Sequence, residues 1–498
     1  MNATNGAAHT ARAKDEFFAA SMYMFHITGF PQESAVLLRE AGAPGGARLD
    51  VWRTDPADGR QIPGPDAEGI AFSTPGFSLA NSGNRTLHAP KRSWKIALEH
   101  AADGGNHLAG MACLNLKSMY NDPSQMREAL AWRLFRQAGV PSARHTYAKL
   151  AFDAAYYGLF SVIEQVDKRF LKDHFGDNDR GNLYKAYCGD VGCATLEHRT
   201  GPDGDDSGRQ YFRASDDERT YRVKTNKDHD TGTYDDLAKF IRTINGTGLP
   251  GGDGRFGTDA FRESVDSIMN AHAFLRWASV NLLLGSWDNY YATPSNYYLY
   301  NSGRQGAEDD FMRSPYFTFI PWDYDNCLGI DYFGTKWQYT DILDWPSNTG
   351  HYWRDHATSR IPLVQNLLRN PDYRQYYLDY LEFLLDTQFN PDAFGEQIAA
   401  DSGDGLWGRV CQAAYLESDT PYGQPFTGRQ FTNDEVYQSG CKQNELRHGQ
   451  EKAEGIIHYV RMRRDSARQQ LEQLRKATPR ATSATGFSAT LEPLPQQA

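Results

Sequence analysis

The stretch GSWDNYYATPSNYYLY (residues 285–300), taken with FIPWDYDNCLG (residues 319–329), decides how this chain is read. Before it runs FRESVDSIMNAHAFLRWASVNLLLG (residues 261–285), apolar around most of its circumference and expected as one long buried helix. Asp288 stands just past that helix end and just ahead of NYYLY, whose aromatic composition suits a strand. A loop at such a junction is where a fold displays catalytic groups. Asn296 opens the strand at the far end of the same loop. A second apolar strand, Phe317 to Ile320, ends in Pro-Trp and then Asp323-Tyr324-Asp325. Carboxylates at a strand end are typical hard-metal ligands, and their i, i+2 spacing points both the same way if the strand continues. On the residues alone a plainer reading stays open, with Asp288 capping a turn and Asn296 merely starting a strand.

Working upstream, Lys95 lies on SWKIALEH, an alternating strand that puts Ser93 and Lys95 on one face and Trp94 and Ile96 on the other. A lysine facing a cleft can offset phosphate charge. Asp122-Pro-Ser124 is a helix start signal, and Met126, Leu130, Leu134 and Phe135 recur at helical spacing up to Gly139. Glu128 falls in the first turn of that helix, where it either meets Lys95 or simply complements the helix dipole. HTYAKLAFD and YYGLFSVIE read as two strands around a tight turn. Glu164, Gln165 and Val166 follow at the expected junction between lobes, where backbone groups would meet an adenine edge. Gly181-Asn-Leu-Tyr-Lys185 either lines the same cleft or is a turn. The loop Asn81 to Thr86 is turn-rich enough for its amides to cradle phosphate.

The chain has 498 residues, enough for two lobes with insertions, and a net charge of −11. No dense Lys/Arg stripe is present, which argues against nucleic acid or an anionic membrane as the main partner. No apolar run reaches the length of a membrane span. The first residues, MNATNGAAHTARAKDE, lack a basic and then apolar leader, so no signal peptide is expected. Six cysteines form no paired CxxC knuckles, which argues against a structural zinc site. Cys188 with Cys193, and Cys411 with Cys441, could form disulfides or remain thiols. Residues 1–15 and 477–498 are expected to be disordered, 16–165 to form a β-rich N-terminal lobe, and 166–476 a mainly helical C-terminal lobe. Within it, the polar stretch 194–232 reads as an exposed insertion. The fold class is therefore α+β.

Several segments, in order, resemble the spore-coat protein H (CotH) kinase family. They are APKRSWKIALE, LNLKSMYNDPSQMREALAWRLFRQAGVPSA, YYGLFSVIEQVDKRFL, GNLYKA, SWDNYYATPSNYYLY and FIPWDYDNCLG, with IIHYVRMRRDSARQQL as a closing helix. The resemblance implies a two-lobed, atypical protein-kinase-like fold that uses ATP with Mg²⁺ or Mn²⁺ to phosphorylate a protein Ser/Thr acceptor. It implies that Asp288 acts as catalytic base and that Asp323 and Asn296 hold the metal, with Asp325 in support. ATP is expected between the lobes, near Lys95, Glu128, Glu164, Gln165, Val166 and Lys185. Two departures stand out. Asn296 lies further from Asp288 than the kinase Asp-x4-Asn spacing, and the family's Arg-Gly-Asn loop appears here as Ser82-Gly83-Asn84-Arg85-Thr86. Three rival functions fit the same residues: a non-catalytic coat or adhesion protein, transfer of AMP, and a metal-dependent hydrolase.

Overall fold

In the computed structural model the described residues are 12–20, 22–29, 47–53, 70–83, 86, 89, 91–98, 107–153, 155–189, 192–198, 220–227, 234–304, 311–331, 334–344, 361–398, 406–415, 431–441, 445–448 and 451–477. The fold is α+β. The chain divides into two compact units: Met1–Trp132 with Ala143–Asp173 and Phe394–Ile457, and Arg133–Ser142 with His174–Ala393 and His458–Ala498.

The first unit is built on one eight-stranded mixed sheet. Its strands are β1 (Tyr23–Thr28), β2 (Arg48–Arg53), β3 (Ile70–Thr74), β4 (Phe77–Ser82), β5 (Ser93–Leu98), β6 (Cys113–Lys117), β7 (His145–Phe152) and β8 (Ala155–Glu164). They lie in the order β3-β2-β1-β7-β8-β6-β5-β4. β1 runs parallel to β7, while the other neighbours are antiparallel. Alternation places Phe25, Ile27, Val51, Leu79, Trp94, Ile96, Leu114, Leu150, Phe160 and Val162 in one buried cluster. β7 and β8 turn at Asp153, which takes a left-handed φ of 46°.

Helix α2 (Arg127–Gln137) starts as the Asp-Pro-Ser signal implies, but a few residues later. Asp122 accepts from the backbone N–H groups of Ser124 and Arg127 at 2.9 and 2.8 Å, and from the Arg127 guanidinium at 2.6 Å. Gly139, at φ 67°, ends the run.

The second unit holds a four-stranded antiparallel sheet. Its strands are β9 (Asn182–Ala186), β12 (Tyr221–Val223), β13 (Tyr297–Asn301) and β14 (Phe317–Pro321), in the order β12-β9-β13-β14. Gly181 leads into β9 at a point where a Cβ would fall 1.7 Å from the Asn301 carbonyl oxygen, so only glycine fits. Between β9 and β12 a short hairpin, β10 (Cys188–Gly189) and β11 (Gly192–Cys193), is closed by a Cys188–Cys193 disulfide.

Three expectations are corrected. The single long helix is two helices, α5 (Asp259–Asp266) and α6 (Ala271–Leu284), which follow α3 (Lys168–Phe175) and α4 (Asp235–Ile244) along the chain. Asn270 accepts from the Ala273 N–H and caps the second, because an amide side chain competes with helical backbone bonding. The lead-in is not disordered throughout: residues 12–19 form helix α1, and Lys14 within it is 1 % exposed. The 194–232 stretch is not all exposed insertion. Ala194 and Leu196 are buried, and β12 joins the sheet. Residues 199–219 lie outside the described residues, as do 1–11 and 478–498 and therefore most of the expected disordered ends. Cys411 is buried, while the Cys441 side chain lies outside the described residues and with it the second disulfide expectation.

Candidate functional site

The acid-bearing loops belong to the second unit, and secondary structure brings them together. β13 and β14 pair with Tyr297 opposite Pro321. Asn296, just before β13, and Trp322, just after β14, are therefore neighbours, and the Trp322 N–H donates to the Asn296 carbonyl at 3.1 Å. Asp323 is the next residue. Asn296 and Asp323 both take left-handed backbone conformations, φ 53° and 62°. Non-glycine residues in that region cost free energy and tend to be retained where function requires the geometry.

The loop from Asp288 to Asn296 closes on itself. Asn296 Nδ2 donates to the Asp288 carbonyl at 2.7 Å, which leaves Oδ1 of that amide outside this bond. Asn326, on the turn after Asp323, donates through Nδ2 to Oδ2 of Asp288 at 3.1 Å. Two hydrogen bonds thus tie Asp288, by main chain and by side chain, to the segments that carry Asn296 and Asp323. Asp288, Asn296, Asp323 and Asp325 are each half-buried, whereas Trp287, Asn289, Tyr297, Trp322, Tyr324 and Asn326 around them are buried.

Beneath these loops lies a buried polar network. Helix α6 ends at Gly285, which adopts φ 59° with the Tyr459 hydroxyl 2.0 Å from where a Cβ would sit. One turn before that end, Asn281 Nδ2 donates to Asn289 Oδ1 at 3.1 Å, and Asn289 Nδ2 donates back to Asn281 Oδ1 at 2.8 Å. Asn289 also donates to the Ser286 carbonyl and hydroxyl at 2.6 and 2.7 Å. Tyr324, between the two aspartates, donates its hydroxyl to Asn281 at 3.1 Å and accepts from Trp277 Nε1 at 2.8 Å. Burial holds the Tyr324 phenol well above its usual pKa, so it stays a neutral donor. One helix residue, Asn281, is therefore bonded both to the neighbour of Asp288 and to the neighbour of Asp323. Sequence reasoning missed Asn281, Asn289, Tyr324 and Asn326. The available signal was an asparagine inside the otherwise apolar run WASVNLLLG.

Lys185 sits beside the same end of the sheet. It pairs in register with Tyr298, and its Nζ lies 5.6 Å from the ring centroids of both Tyr298 and Trp322. The disulfide hairpin also reaches the loop. Ala194, next after Cys193, donates its N–H to the Pro294 carbonyl at 3.0 Å, and the Tyr290 hydroxyl donates to the Thr195 carbonyl at 2.9 Å.

The remaining expected residues lie in the first unit. Lys95 is half-buried on β5 opposite Asn115. Glu128 is buried in the first turn of α2. Glu164 is 1 % exposed, and its carboxylate accepts from Lys14 at 3.1 Å and from Arg144 at 2.8 Å, so the side chain is committed to ion pairs. Gln165 donates to the carbonyl of buried Val166 at 3.2 Å. In the expected phosphate loop, Thr86 Oγ1 donates to the Ser82 carbonyl at 2.8 Å, while Asn84 and Arg85 lie outside the described residues.

Among the described residues no three His, Cys, Asp or Glu side chains close into a cage for a metal ion. Mg²⁺ at a nucleotide site does not need such a cage. It takes one or two carboxylates and completes an octahedron with water and phosphate oxygens. Asp323, Asp325 and Oδ1 of Asn296 are hard oxygen donors of the kind that suits it. Among the described residues no helix is long and apolar enough to cross a membrane.

The chain is thus an α+β protein that mounts half-buried acidic loops on the end of an antiparallel hairpin and braces them with buried asparagines. More specifically, the chain belongs to the CotH kinase protein family, whose model matches residues 79–403. It is 22 % identical over 354 residues to the inner spore coat protein H of Bacillus subtilis, covering 71 % of this chain and 81 % of that protein. It is 22 % identical over 329 residues to invasin CotH2 of Rhizopus delemar, and 20 % identical over 328 residues to invasin CotH3 of the same fungus. Each of those alignments covers 64 % of this chain but only 48 % and 47 % of the two invasins, about half their length.

Proposed function

We propose that this chain is a phosphotransferase that moves the γ-phosphoryl group of ATP to a Ser or Thr hydroxyl of a protein. The observation that carries the reading is the Asn326–Asp288 hydrogen bond, which holds a candidate base against the turn bearing a candidate metal ligand. Asp288 accepts the proton of the acceptor hydroxyl as the new oxygen–phosphorus bond forms. The bond from the γ-phosphorus to the β–γ bridging oxygen breaks, and ADP leaves. Asp323 and Oδ1 of Asn296 hold Mg²⁺ or Mn²⁺, with Asp325 in support. When bound, the ion neutralises charge on the phosphates. Lys185 adds positive charge from the sheet end. A two-lobed kinase-like arrangement is part of the same reading, with Lys95 offsetting phosphate charge, Glu128 pairing with Lys95, and the backbone of Glu164, Gln165 and Val166 serving the adenine.

The test is incubation of the full chain with γ-labelled ATP, Mg²⁺ or Mn²⁺ and a Ser/Thr-rich acceptor, beside the Asp323→Ala protein. Label is expected on the acceptor and absent with the variant. Equal labelling by both proteins would defeat the assignment.

A second reading is supported by the names of the relatives, a spore coat protein and invasins. It makes the chain a non-catalytic coat or adhesion protein on the same scaffold. Failure of the full chain to bind Mg-ATP by calorimetry would favour it. A mass shift on the acceptor matching AMP would replace phosphoryl transfer by nucleotidyl transfer.

A further inference from the structure

The turn that follows β14 does more than present Asp323. Asn326, three residues on, is 5 % exposed and directs Nδ2 at Oδ2 of Asp288, 3.1 Å away. Its own support is firm. Tyr324 is bonded to Asn281 and Trp277, and the Cys327 thiol donates to the Tyr324 carbonyl at 3.1 Å. The Leu328 N–H donates to the Leu284 carbonyl, the last residue of α6, at 2.7 Å. Asn326 therefore reaches Asp288 from a base anchored to α6, the same helix whose end leads into Asp288.

We propose that Asn326 is a positioning residue for Asp288: its amide aims the carboxylate, so that the Asp288 loop and the Asp323 turn work as one body. The proposal rests on the phosphotransfer reading for the role of Asp288. The chemistry follows from the donor. An amide gives the carboxylate a hydrogen bond without adding a positive charge, whereas a lysine or arginine in its place would form an ion pair and weaken the base.

Three variants of the full chain test this: Asn326→Ala, Asn326→Asp and Asn326→Gln. With γ-labelled ATP, Asn326→Ala is expected to lose about tenfold to a hundredfold in kcat, the range set by a hydrogen bond to a charged group, while KM for ATP stays within about twofold. Asn326→Asp removes the donor and sets a second carboxylate against Asp288, and is expected to lose at least as much kcat as Asn326→Ala. Asn326→Gln keeps the donor and is expected to recover part of kcat. A merely structural residue would lower kcat and ATP affinity together and would not be rescued by glutamine. Unchanged kcat in Asn326→Ala and Asn326→Asp, or parallel loss of kcat and ATP affinity in all three variants, overturns the proposal.

A readout without turnover separates this proposal from the phosphotransfer reading. In chain labelled with ¹⁵N, with Asn326→Ala used to assign the signal, the Asn326 side-chain amide is expected to shift in Asp288→Ala as the hydrogen bond is lost. If no acceptor is ever labelled yet this dependence is found, the phosphotransfer reading fails and the positioning claim stands. An Asn326 amide signal unmoved by Asp288→Ala sinks the positioning claim, whatever the activity.

Discussion

Buried polar groups are held in two different ways in the two units. In the first unit, charge is met by charge. Lys14 donates to Glu164 at 3.1 Å and to Asp173 at 2.8 Å, and Arg144 donates to the same two carboxylates at 2.8 and 3.2 Å. Lys14, Glu164 and Asp173 are nearly inaccessible. In the second unit the aspartates at the loop ends are half-buried, and the bonds that fix their loops come from amides: Asn296, Asn326, Asn281 and Asn289. An ion cluster consumes its charges, so it serves the fold. An amide orients a carboxylate without adding a counter-charge. On the phosphotransfer reading, the contrast gives stability to one set of acids and chemistry to the other.

Three experiments can break or sharpen that contrast. Asp288→Ala should have the largest effect, lowering phosphoryl transfer by about a thousandfold, as loss of a positioned base does elsewhere. Its thermal midpoint should stay near that of the unchanged protein, as scanning calorimetry would show; a collapse of the midpoint would put Asp288 among the structural acids. Lys14→Met comes next. Removing one member of a buried ionic cluster costs about 3 to 5 kcal/mol, because the remaining carboxylates keep their burial and lose a counter-charge. Urea unfolding should show the loss, and an unchanged midpoint would mean that the cluster carries no stability.

The smallest effect concerns Asp236, at the start of helix α4 (Asp235–Ile244). Its carboxylate accepts from Tyr184 at 2.6 Å and from Asn301 at 2.7 Å. Burial raises its pKa above the ordinary 3.8, although these donors work the other way. The folded chain therefore binds the proton more tightly than the unfolded chain. This contribution is complete below the unfolded pKa and declines as pH rises through the raised folded value. Stability in the mildly acid range should fall with rising pH, and Asp236→Asn should flatten that slope. A slope that persists in the variant would locate the titration elsewhere.

Much of this was legible in the sequence because local signals agreed with the final structure. Asp122-Pro-Ser124 announced α2 and Gly139 its end, although the helix starts at Arg127, with Asp122 bonded to the Arg127 backbone instead of capping a helix that begins at Pro123. Aromatic strands ending in Pro-Trp-Asp announced the hairpin that carries the acids. What stayed hidden depends on partners far along the chain. Nothing near Lys14 shows that it will be buried against Glu164 and Asp173. The aliphatic character of the α5–α6 stretch masked the cap at Asn270, since hydrophobicity reports burial and not continuity. The same character hid Asn281, whose partners lie on two loops. Cys188 and Cys193 were visible as near neighbours, but pairing depended on the hairpin that opposes them in register.

The parallel pairing of β1 with β7 has a practical consequence. Family resemblance begins at residue 79, after β1, β2 and β3. Yet β1 lies against β7, with Tyr23 opposite Ala148 and Ile27 opposite Phe152. A fragment trimmed to the matched region would leave the β7 backbone as a bare, mostly apolar sheet margin, ready to recruit strands from other molecules. Recombinant work on the shared region of this chain should therefore keep the upstream strands, or expect precipitate.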